Sequence, residues 1–160
     1  MKLVVAAVGR LKSRPERELQ SRYCERVYKQ GRDLHLSQLE VIELAEGRAP
    51  SAAMRKDDEA RRLLEATATL QLRAALDESG RELNSQSFAN WLARQRDDGT
   101  SSLGFLIGGP DGHGEELLMT CQVRLTLGSM TFPHGIARII LLEQIYRACT
   151  ILTGHPYHRD

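Results

Sequence analysis

The chain has few cysteines, few aromatic side chains and no long apolar run, and these shortages exclude several classes of protein. Its 3 cysteines, Cys24, Cys121 and Cys149, lie far apart and form no C-x-x-C pair. Neither a disulfide framework nor a zinc knuckle is therefore expected, and a reducing compartment fits best. No apolar run approaches the roughly 20 residues of a membrane span, and the apolar run at residues 3–8 is too short for a secretory signal. We therefore predict a soluble, cytoplasmic protein.

The sequence also lacks the common motifs of nucleotide-binding and hydrolytic enzymes. No G-x-G-x-x-G follows the first apolar run and no Walker glycine-lysine pair is present, so a dinucleotide or a nucleoside triphosphate is disfavoured. No serine lies in a G-x-S-x-G elbow, and the 5 histidines show no metal-binding spacing such as H-E-x-x-H. We therefore expect neither a hydrolase nor a metal site.

The net charge gives no sign of a nucleic-acid partner, but the positive charges are unevenly placed. The 22 Lys and Arg residues against 21 Asp and Glu residues give a net charge of +1. The segment 10–32 is nevertheless basic, with Arg10, Lys12, Arg14, Arg17, Arg22, Arg26, Lys29 and Arg32. This segment could face phosphate groups. The commoner arrangement is a solvated helix face, in which Glu18 would pair with Arg22. Glu25 would pair with Lys29 in the same way.

Apolar runs alternate with amphipathic stretches along the whole chain, which predicts an α/β protein. The strands are expected at residues 3–8, 34–44, 70–76, 103–107 and 123–127. The helices are expected to begin after Ser13, Ser51, Asn84 or Ser85, near Glu115 and after Gly135. A turn over residues 77–80 is expected after the third strand, with a positive φ at Gly80. This alternation predicts a mostly parallel sheet flanked by helices, in one domain over residues 1–160.

Loops rich in glycine or proline follow the predicted strands in the last third of the chain. They span residues 108–112, 128–135 and 154–160. In an open α/β sheet, ligands bind beyond the carboxyl ends of the strands, and glycines there let a ligand approach the backbone closely. In the second loop, Met130 and Phe132 could pack on the faces of an adenine while backbone groups contact its edge. A simple tight turn is the alternative for the first loop.

Polar residues near the end of the chain each have two interpretations. Glu143, Tyr146 and Arg147 interrupt the apolar last helix, where the carboxylate and the guanidinium could simply pair. The tail, residues 155–159, combines proline, tyrosine and arginine, which suit stacking on a base and pairing with a phosphate. A frayed terminus is the commoner outcome for such a tail.

Several ordered motifs resemble the bacterial RlmH family, formerly called YbeA. They are residues 106–112 (LIGGPDG), residues 130–134 (MTFPH), Arg138 with residues 142–148 (LEQIYRA), and residues 154–160 (GHPYHRD). The resemblance covers the whole length of the chain. Members of this family are SPOUT-class methyltransferases, which use S-adenosylmethionine to methylate N3 of a pseudouridine in 23S rRNA.

The resemblance implies a fold, an assembly and a set of site residues. The fold is a SPOUT α/β knot, in which the segment 103–160 is threaded through a loop as a deep trefoil knot. The assembly is a homodimer. The implied cofactor contacts are Leu76, Gly109, Gly128, Ser129, Met130, Thr131, Phe132 and Pro133. The implied substrate contacts are Glu143, Tyr157 and Arg159, and no metal ion takes part.

The implied reaction is direct methyl transfer to a pseudouridine in the large-subunit stem-loop that faces the decoding centre, on the assembled ribosome. The acceptor nitrogen carries a proton, so the site has to remove it or stabilise the anion as it forms. Arg147, or Arg159 from the partner subunit, could stabilise that charge. His134, His155 or His158 could accept the proton. A tRNA ribose methyltransferase and a non-catalytic RNA-binding module are the alternatives.

Overall fold

The computed structural model describes residues 1–36 and 38–158, which form five parallel strands and the helices between them. The elements in chain order are β1 (Lys2–Val8), α1 (Arg14–Gln30), β2 (Leu39–Leu44), α2 (Ala52–Ala66), β3 (Leu72–Glu82), α3 (Ser85–Asp97), β4 (Ser102–Ile107), α4 (Glu115–Thr120), β5 (Val123–Thr126) and α5 (His134–Leu152). The strand order is β2-β1-β4-β3-β5, and every pairing is parallel. The predicted α/β class with a mostly parallel sheet is confirmed.

The helices cover both faces of the sheet. Helices α1, α3 and α5 pack together on one face, where they enclose the larger apolar core, and α2 and α4 cover a smaller core on the other. Strand β1 contributes alternate residues to the two cores, Leu3 and Val5 to one, Ala6 and Val8 to the other. Successive connections between strands run alternately toward one side edge of the sheet and toward the other. Because such connections are normally right-handed, α1 and α3 are expected on one face and α2 and α4 on the other.

Side-chain caps fix the starts of three helices. The Ser13 side chain accepts a hydrogen bond from the backbone N–H of Glu16 at 3.4 Å, and Ser51 does the same for Met54 at 3.2 Å. Asn84 accepts from the backbone N–H of residue 87 at 2.8 Å. Each cap satisfies a donor that the first helical turn leaves unpaired. The predicted starts of α1, α2 and α3 are therefore confirmed, with Asn84 as the cap of α3.

Strand β2 is shorter than predicted. It begins at Leu39, whereas residues 31–35 form a turn in which His35 has a φ of 56°. Leu36 is fully buried, although it lies outside any strand. The prediction of a strand from residue 34 was therefore wrong. An apolar residue in a turn can pack into the core, and the sequence does not distinguish it from an apolar residue in a strand.

Strand β3 is longer than predicted. It continues to Glu82, and its register with β5 shifts between Leu76 and Arg81, so the turn predicted over residues 77–80 does not end the strand. Gly80 does not have a positive φ. A Cβ at Gly80 would lie 2.4 Å from the carbonyl carbon of Leu125. The glycine therefore permits close contact between two backbones at an irregularity of the sheet.

A charged side chain, that of Arg138, lies wholly inside the fold. Arg138, on α5, is 0% exposed and hydrogen-bonds to the carbonyl oxygen of Gly9 and to the carboxylate of Glu43. It also lies 3.4 Å from the side-chain oxygen of Gln20. A single guanidinium therefore joins the ends of β1 and β2 to α1 and α5.

No helix in the described part of the chain is long and apolar enough to cross a membrane. Cys24, Cys121 and Cys149 are free thiols, and burial raises the pKa of Cys149 to about 12. No group of His, Cys, Asp or Glu side chains within residues 1–36 and 38–158 is arranged to hold a metal ion.

Candidate functional site

The loops at the carboxyl ends of β3, β4 and β5 surround one large cavity. It lies beside the crevice that opens where the neighbouring strands β1 and β4 lead to helices on opposite faces of the sheet. The cavity has a volume of about 980 Å³ and is walled by residues 76–79, 107–113 and 126–134 together with Lys56, Leu118 and Ala137. Ligand sites are typically about 300–1,000 Å³ in size.

The structure brings all the predicted cofactor residues together in this cavity. Its lining includes Leu76, Gly109, Gly128, Ser129, Met130, Thr131, Phe132 and Pro133. Gly112 and Gly128 have φ values of 81° and 127°, and a Cβ at either position would meet no atom within 4 Å. Their backbones therefore face open space, as the prediction of a close backbone approach requires.

An ion pair fastens the loop 108–112 from outside the cavity. Arg55, on α2, donates hydrogen bonds to both carboxylate oxygens of Asp111, at 2.7 and 3.1 Å. The same guanidinium donates to the carbonyl oxygens of Ala49 and Pro50. The hydrogen bond from Arg55 holds the pKa of Asp111 below its usual value. The loop that carries Gly109 is therefore tied to α2 and to the segment that follows β2.

His113 lies in the cavity wall as a buried imidazole. It is 7% exposed, and its Nε2 lies 3.2 Å from the carbonyl oxygen of Leu106. Burial holds the pKa of His113 below its usual value, so the ring is neutral at pH 7 and Nε2 donates its hydrogen to that carbonyl. The resemblance assigned no role to this residue, and the structure gives it a place beside the predicted cofactor loops.

His134 is the predicted catalytic histidine that lies at the cavity. It begins α5, lines the cavity, and its Nε2 is 3.7 Å from Oε1 of Glu46. The ring lies over Gly9, which has a φ of 92°, and a Cβ there would come within 2.3 Å of Nε2. Only glycine at position 9 therefore leaves room for the imidazole.

The other candidate catalytic and substrate residues form a separate cluster near the end of α5. Arg147 donates to Oε1 of Glu143 from both Nε, at 2.9 Å, and Nη2, at 2.6 Å, which confirms the predicted pair. The Tyr157 hydroxyl donates to the same oxygen at 3.2 Å. Nδ1 of His158 lies 3.5 Å from Nη1 of Arg147, and Nδ1 of His155 accepts the Tyr157 N–H at 3.2 Å.

Aromatic packing holds the tail against this cluster. The Tyr157 ring lies 4.7 Å from the ring of Tyr146, and the Arg147 guanidinium lies 5.0 Å from the centre of the Tyr157 ring. Desolvation raises the pKa of Tyr157 to about 12, so its hydroxyl keeps its proton at pH 7. The commoner expectation, a frayed tail, is wrong for Tyr157. Arg159, the remaining predicted substrate contact, lies outside the described residues.

The two groups of candidate residues do not meet within one protomer. Residues 134 and 147 are separated by roughly 20 Å along α5, at about 1.5 Å per helical residue. His134 borders the cavity, whereas Arg147, Glu143, Tyr157, His155 and His158 do not line it. An active site that used both groups would therefore need one of them to come from a second protomer.

Sequence reasoning missed two residues that shape the cavity wall, Arg55 and Glu59. Glu59 is 3% exposed, its Oε1 accepts a hydrogen bond from the backbone N–H of Gly47 at 2.6 Å, and its Oε2 approaches Gly109. Both residues belong to a helix whose sequence is polar on most sides. On such a helix, the sequence pattern does not distinguish a buried charged residue from a solvent-exposed one.

Comparisons with known proteins agree on the family. Residues 1–158 match the family described as predicted SPOUT methyltransferase. The ribosomal RNA large subunit methyltransferase H of Brucella anthropi is 48% identical over 160 residues, covering 100% of both chains. The protein of the same name from Nitrobacter winogradskyi is 47% identical over 159 residues, covering 99% of each chain.

Solved structures of low sequence identity share the fold. A probable methylase family protein from Haemophilus influenzae has a TM-score of 0.55 at 11% identity, covering 99% of this chain and 70% of the other. A probable methyltransferase from Bordetella pertussis has a TM-score of 0.51 at 13% identity, covering 92% and 96%. With full-length relatives close to half identical, the chain belongs to the ribosomal RNA large subunit methyltransferase H (RlmH) family of SPOUT methyltransferases.

Proposed function

We propose that this protein transfers a methyl group from S-adenosylmethionine to N3 of a pseudouridine in 23S rRNA. The target would be the large-subunit stem-loop that faces the decoding centre, and the substrate would be the assembled ribosome. The observation that carries the proposal is the cavity at the carboxyl edge of the sheet, which gathers every predicted cofactor residue in a chain of this family.

The residues of the cavity fit S-adenosylmethionine. Leu76, Ile107 and Leu127 supply apolar wall for an adenine, and the open backbones at Gly112 and Gly128 supply hydrogen-bonding groups without obstructing side chains. Met130 is 73% exposed, so it is free to cover a bound ligand. When bound, S-adenosylmethionine supplies an activated methyl group on a positively charged sulfur. The protein has to hold that methyl group in line with the acceptor nitrogen.

A homodimer would join the two separated groups of candidate residues. The partly exposed side of α5 carries Ile136, which is 39% exposed, and the half-buried Ile139 and Ile140. A second copy would cover this apolar stripe. If two α5 helices pack antiparallel about a two-fold axis near Ile140, residue 147 of one protomer lies opposite residues 133 and 134 of the other. Arg147 and the tail would then border the partner subunit's cavity.

This arrangement gives each candidate residue a role. Arg147 would stabilise the anion that forms as N3 loses its proton, while Glu143 and Tyr157 would hold the guanidinium in place. His134 would be the candidate proton acceptor in the cavity of its own protomer. His155 and His158 would be the alternative proton acceptors, in the partner subunit's cavity. Tyr157 would donate its single hydroxyl hydrogen to Glu143, and its ring would be the part available to the RNA.

Mass spectrometry of 23S rRNA from cells lacking this protein tests the reaction and the substrate together. We expect the methyl group to be missing from one pseudouridine and to return when the gene is restored. Purified protein with labelled S-adenosylmethionine should then label assembled ribosomes. Labelling of bulk tRNA instead would favour a tRNA ribose methyltransferase, and no labelling together with no cofactor binding would favour an RNA-binding module.

The exposed cations of α1 are proposed to contact ribosomal phosphates. Glu18 pairs with Arg14 at 2.8 Å and not with Arg22, and the predicted pair of Glu25 with Lys29 is absent from the described chain. Arg22 and Lys29 are exposed, and neither forms an ion pair with any described residue. Arg26 differs because its guanidinium stacks on the rings of Tyr23 and Tyr146, at 5.8 and 5.4 Å.

Neutralising Arg22 is expected to weaken ribosome binding and its dependence on salt. Each phosphate contact adds about one to the slope of log affinity against log salt concentration, so Arg22→Gln should lower that slope by about one. Arg61→Gln is the matched control, because Arg61 is an exposed helical arginine paired with Asp58 and Glu65 on the opposite face of the sheet. Binding measured at several salt concentrations would contradict the proposal if both variants behaved alike.

Family membership supports three further predictions about the whole molecule. The segment 103–160 would form the deep trefoil knot of SPOUT proteins, within one domain that spans residues 1–160. A ribosomal substrate would place the protein in the cytoplasm.

A further inference from the structure

Glu59, on α2, is a buried acidic residue with one uncommitted oxygen. Its Oε1 accepts the hydrogen bond from Gly47, whereas its Oε2 is buried and has no hydrogen-bond partner among the described residues. Leaving a buried carboxylate oxygen unpaired destabilises a folded protein. A compensating group is therefore expected nearby in the functional state.

Only the backbone of Gly109 stands between this oxygen and the cavity. Gly109 lines the cavity, and a Cβ added to it would lie 2.7 Å from Oε2 of Glu59 and 3.0 Å from Cγ1 of Val8. The carboxylate therefore touches the strip of main chain that forms the wall, with no side chain in between. A positive charge in the cavity beside Gly109 would be separated from Oε2 by this strip of main chain, and a buried wall screens their attraction less than water does.

The other carboxylates near this wall already have partners, and one cation, Lys56, has no ion-pair partner in the described chain. Asp111 is paired with Arg55, whose guanidinium also donates to two carbonyl oxygens and forms no hydrogen bond with Glu59 among the described residues. Asp77 accepts hydrogen bonds from both the N–H and the hydroxyl of Ser79. Lys56 is half-buried and lines the cavity, and it forms no ion pair with any described residue. Glu59 is thus the carboxylate at this wall that still lacks a partner for one oxygen.

We infer that Glu59 recognises the positive charge of the methyl donor through the wall at Gly109. The inference rests on the proposed use of S-adenosylmethionine. The sulfur of this donor is positively charged, and the sulfur of the demethylated product, S-adenosylhomocysteine, is neutral. Glu59 therefore attracts the donor more than the product, and the loss of charge on methyl transfer favours product release.

Calorimetric titration of full-length Glu59→Gln with both ligands tests this inference. The substitution removes the charge and keeps an oxygen that can accept the Gly47 N–H. We expect the dissociation constant of S-adenosylmethionine to rise about tenfold and that of S-adenosylhomocysteine to change by less than about twofold. Asp58→Asn is the matched control, since Asp58 is the neighbouring carboxylate, 40% exposed, and pairs with Arg61 and Arg62. It should leave both constants unchanged.

Equal changes for the two ligands in Glu59→Gln, or no change, would overturn the inference. Glu59→Met provides a second neutral variant of similar size if the glutamine variant does not fold. The failure of the proposed function has a different signature, because the unmodified protein would then bind neither ligand.

Discussion

A heterodimer built from two inactive variants is expected to have about half the methyltransferase activity of the unmodified dimer. One protomer would carry Arg147→Ala, and the other would carry Gly128→Val, which places a side chain in the open space of the cavity. If Arg147 acts in the partner subunit's cavity, one of the two sites in this heterodimer contains both an intact cavity and an intact arginine. Each variant homodimer should be inactive.

The reverse combination supplies the control. A heterodimer of the unmodified chain with a chain carrying both substitutions should be inactive, because each of its sites lacks either the cavity or the arginine. If Arg147 acted within its own protomer, the two heterodimers would exchange their results. Differently tagged chains allow each heterodimer to be purified, and labelled S-adenosylmethionine on ribosomes measures the activity.

Replacing Arg138, whose guanidinium is buried, is expected to lower the free energy of unfolding much more than replacing the exposed Arg61. Arg138→Met keeps much of the side-chain volume but leaves the Gly9 carbonyl oxygen and the Glu43 carboxylate without their partner. Removing one member of a buried ion pair costs about 3–5 kcal/mol. We expect the lower end, since the Glu43 side chain is 32% exposed and can be hydrated. For a domain of this size, about 3 kcal/mol lowers the midpoint of thermal unfolding by roughly 6–12 °C.

Thermal unfolding followed by circular dichroism, at one fixed protomer concentration, checks this value. Arg61→Met is the comparison, because Arg61 makes two ion pairs but its side chain is 58% exposed, and exposed pairs contribute little. A midpoint for Arg138→Met equal to that of Arg61→Met would contradict the expected role of the buried guanidinium.

The sequence was sufficient for features that depend on local patterns. The caps at Ser13, Ser51 and Asn84 and the glycines at the strand ends have direct local signals, so the order of elements and the loops of the cavity could be predicted, whereas the individual cofactor residues came from the family resemblance. Parallel strands bring their carboxyl ends to one edge, so naming the loops amounted to naming the cavity wall.

The remaining features depend on contacts between distant segments. The pair of Arg55 with Asp111 joins residues 56 positions apart, and no pattern within α2 distinguishes it from the surface pair of Arg61 with Glu65. Arg138 lies in a helix that is apolar on nearly all sides, and no local pattern points to its partners, Gly9 after β1 and Glu43 on β2. Arg147 lies far from the cavity because α5 runs away from it. The direction of a helix relative to the sheet is not given by any local sequence pattern.

The position of β1 between β2 and β4 restricts when the chain can fold during its own synthesis. Residues 2–7 pair with β4 through residues 102–107, so one edge of β1 stays unpaired until β4 has emerged from the ribosome. At roughly 5–20 residues per second, that wait lasts several seconds. The apolar β1 is therefore left open to contact with other chains during this interval, and α5 arrives later still to complete the core.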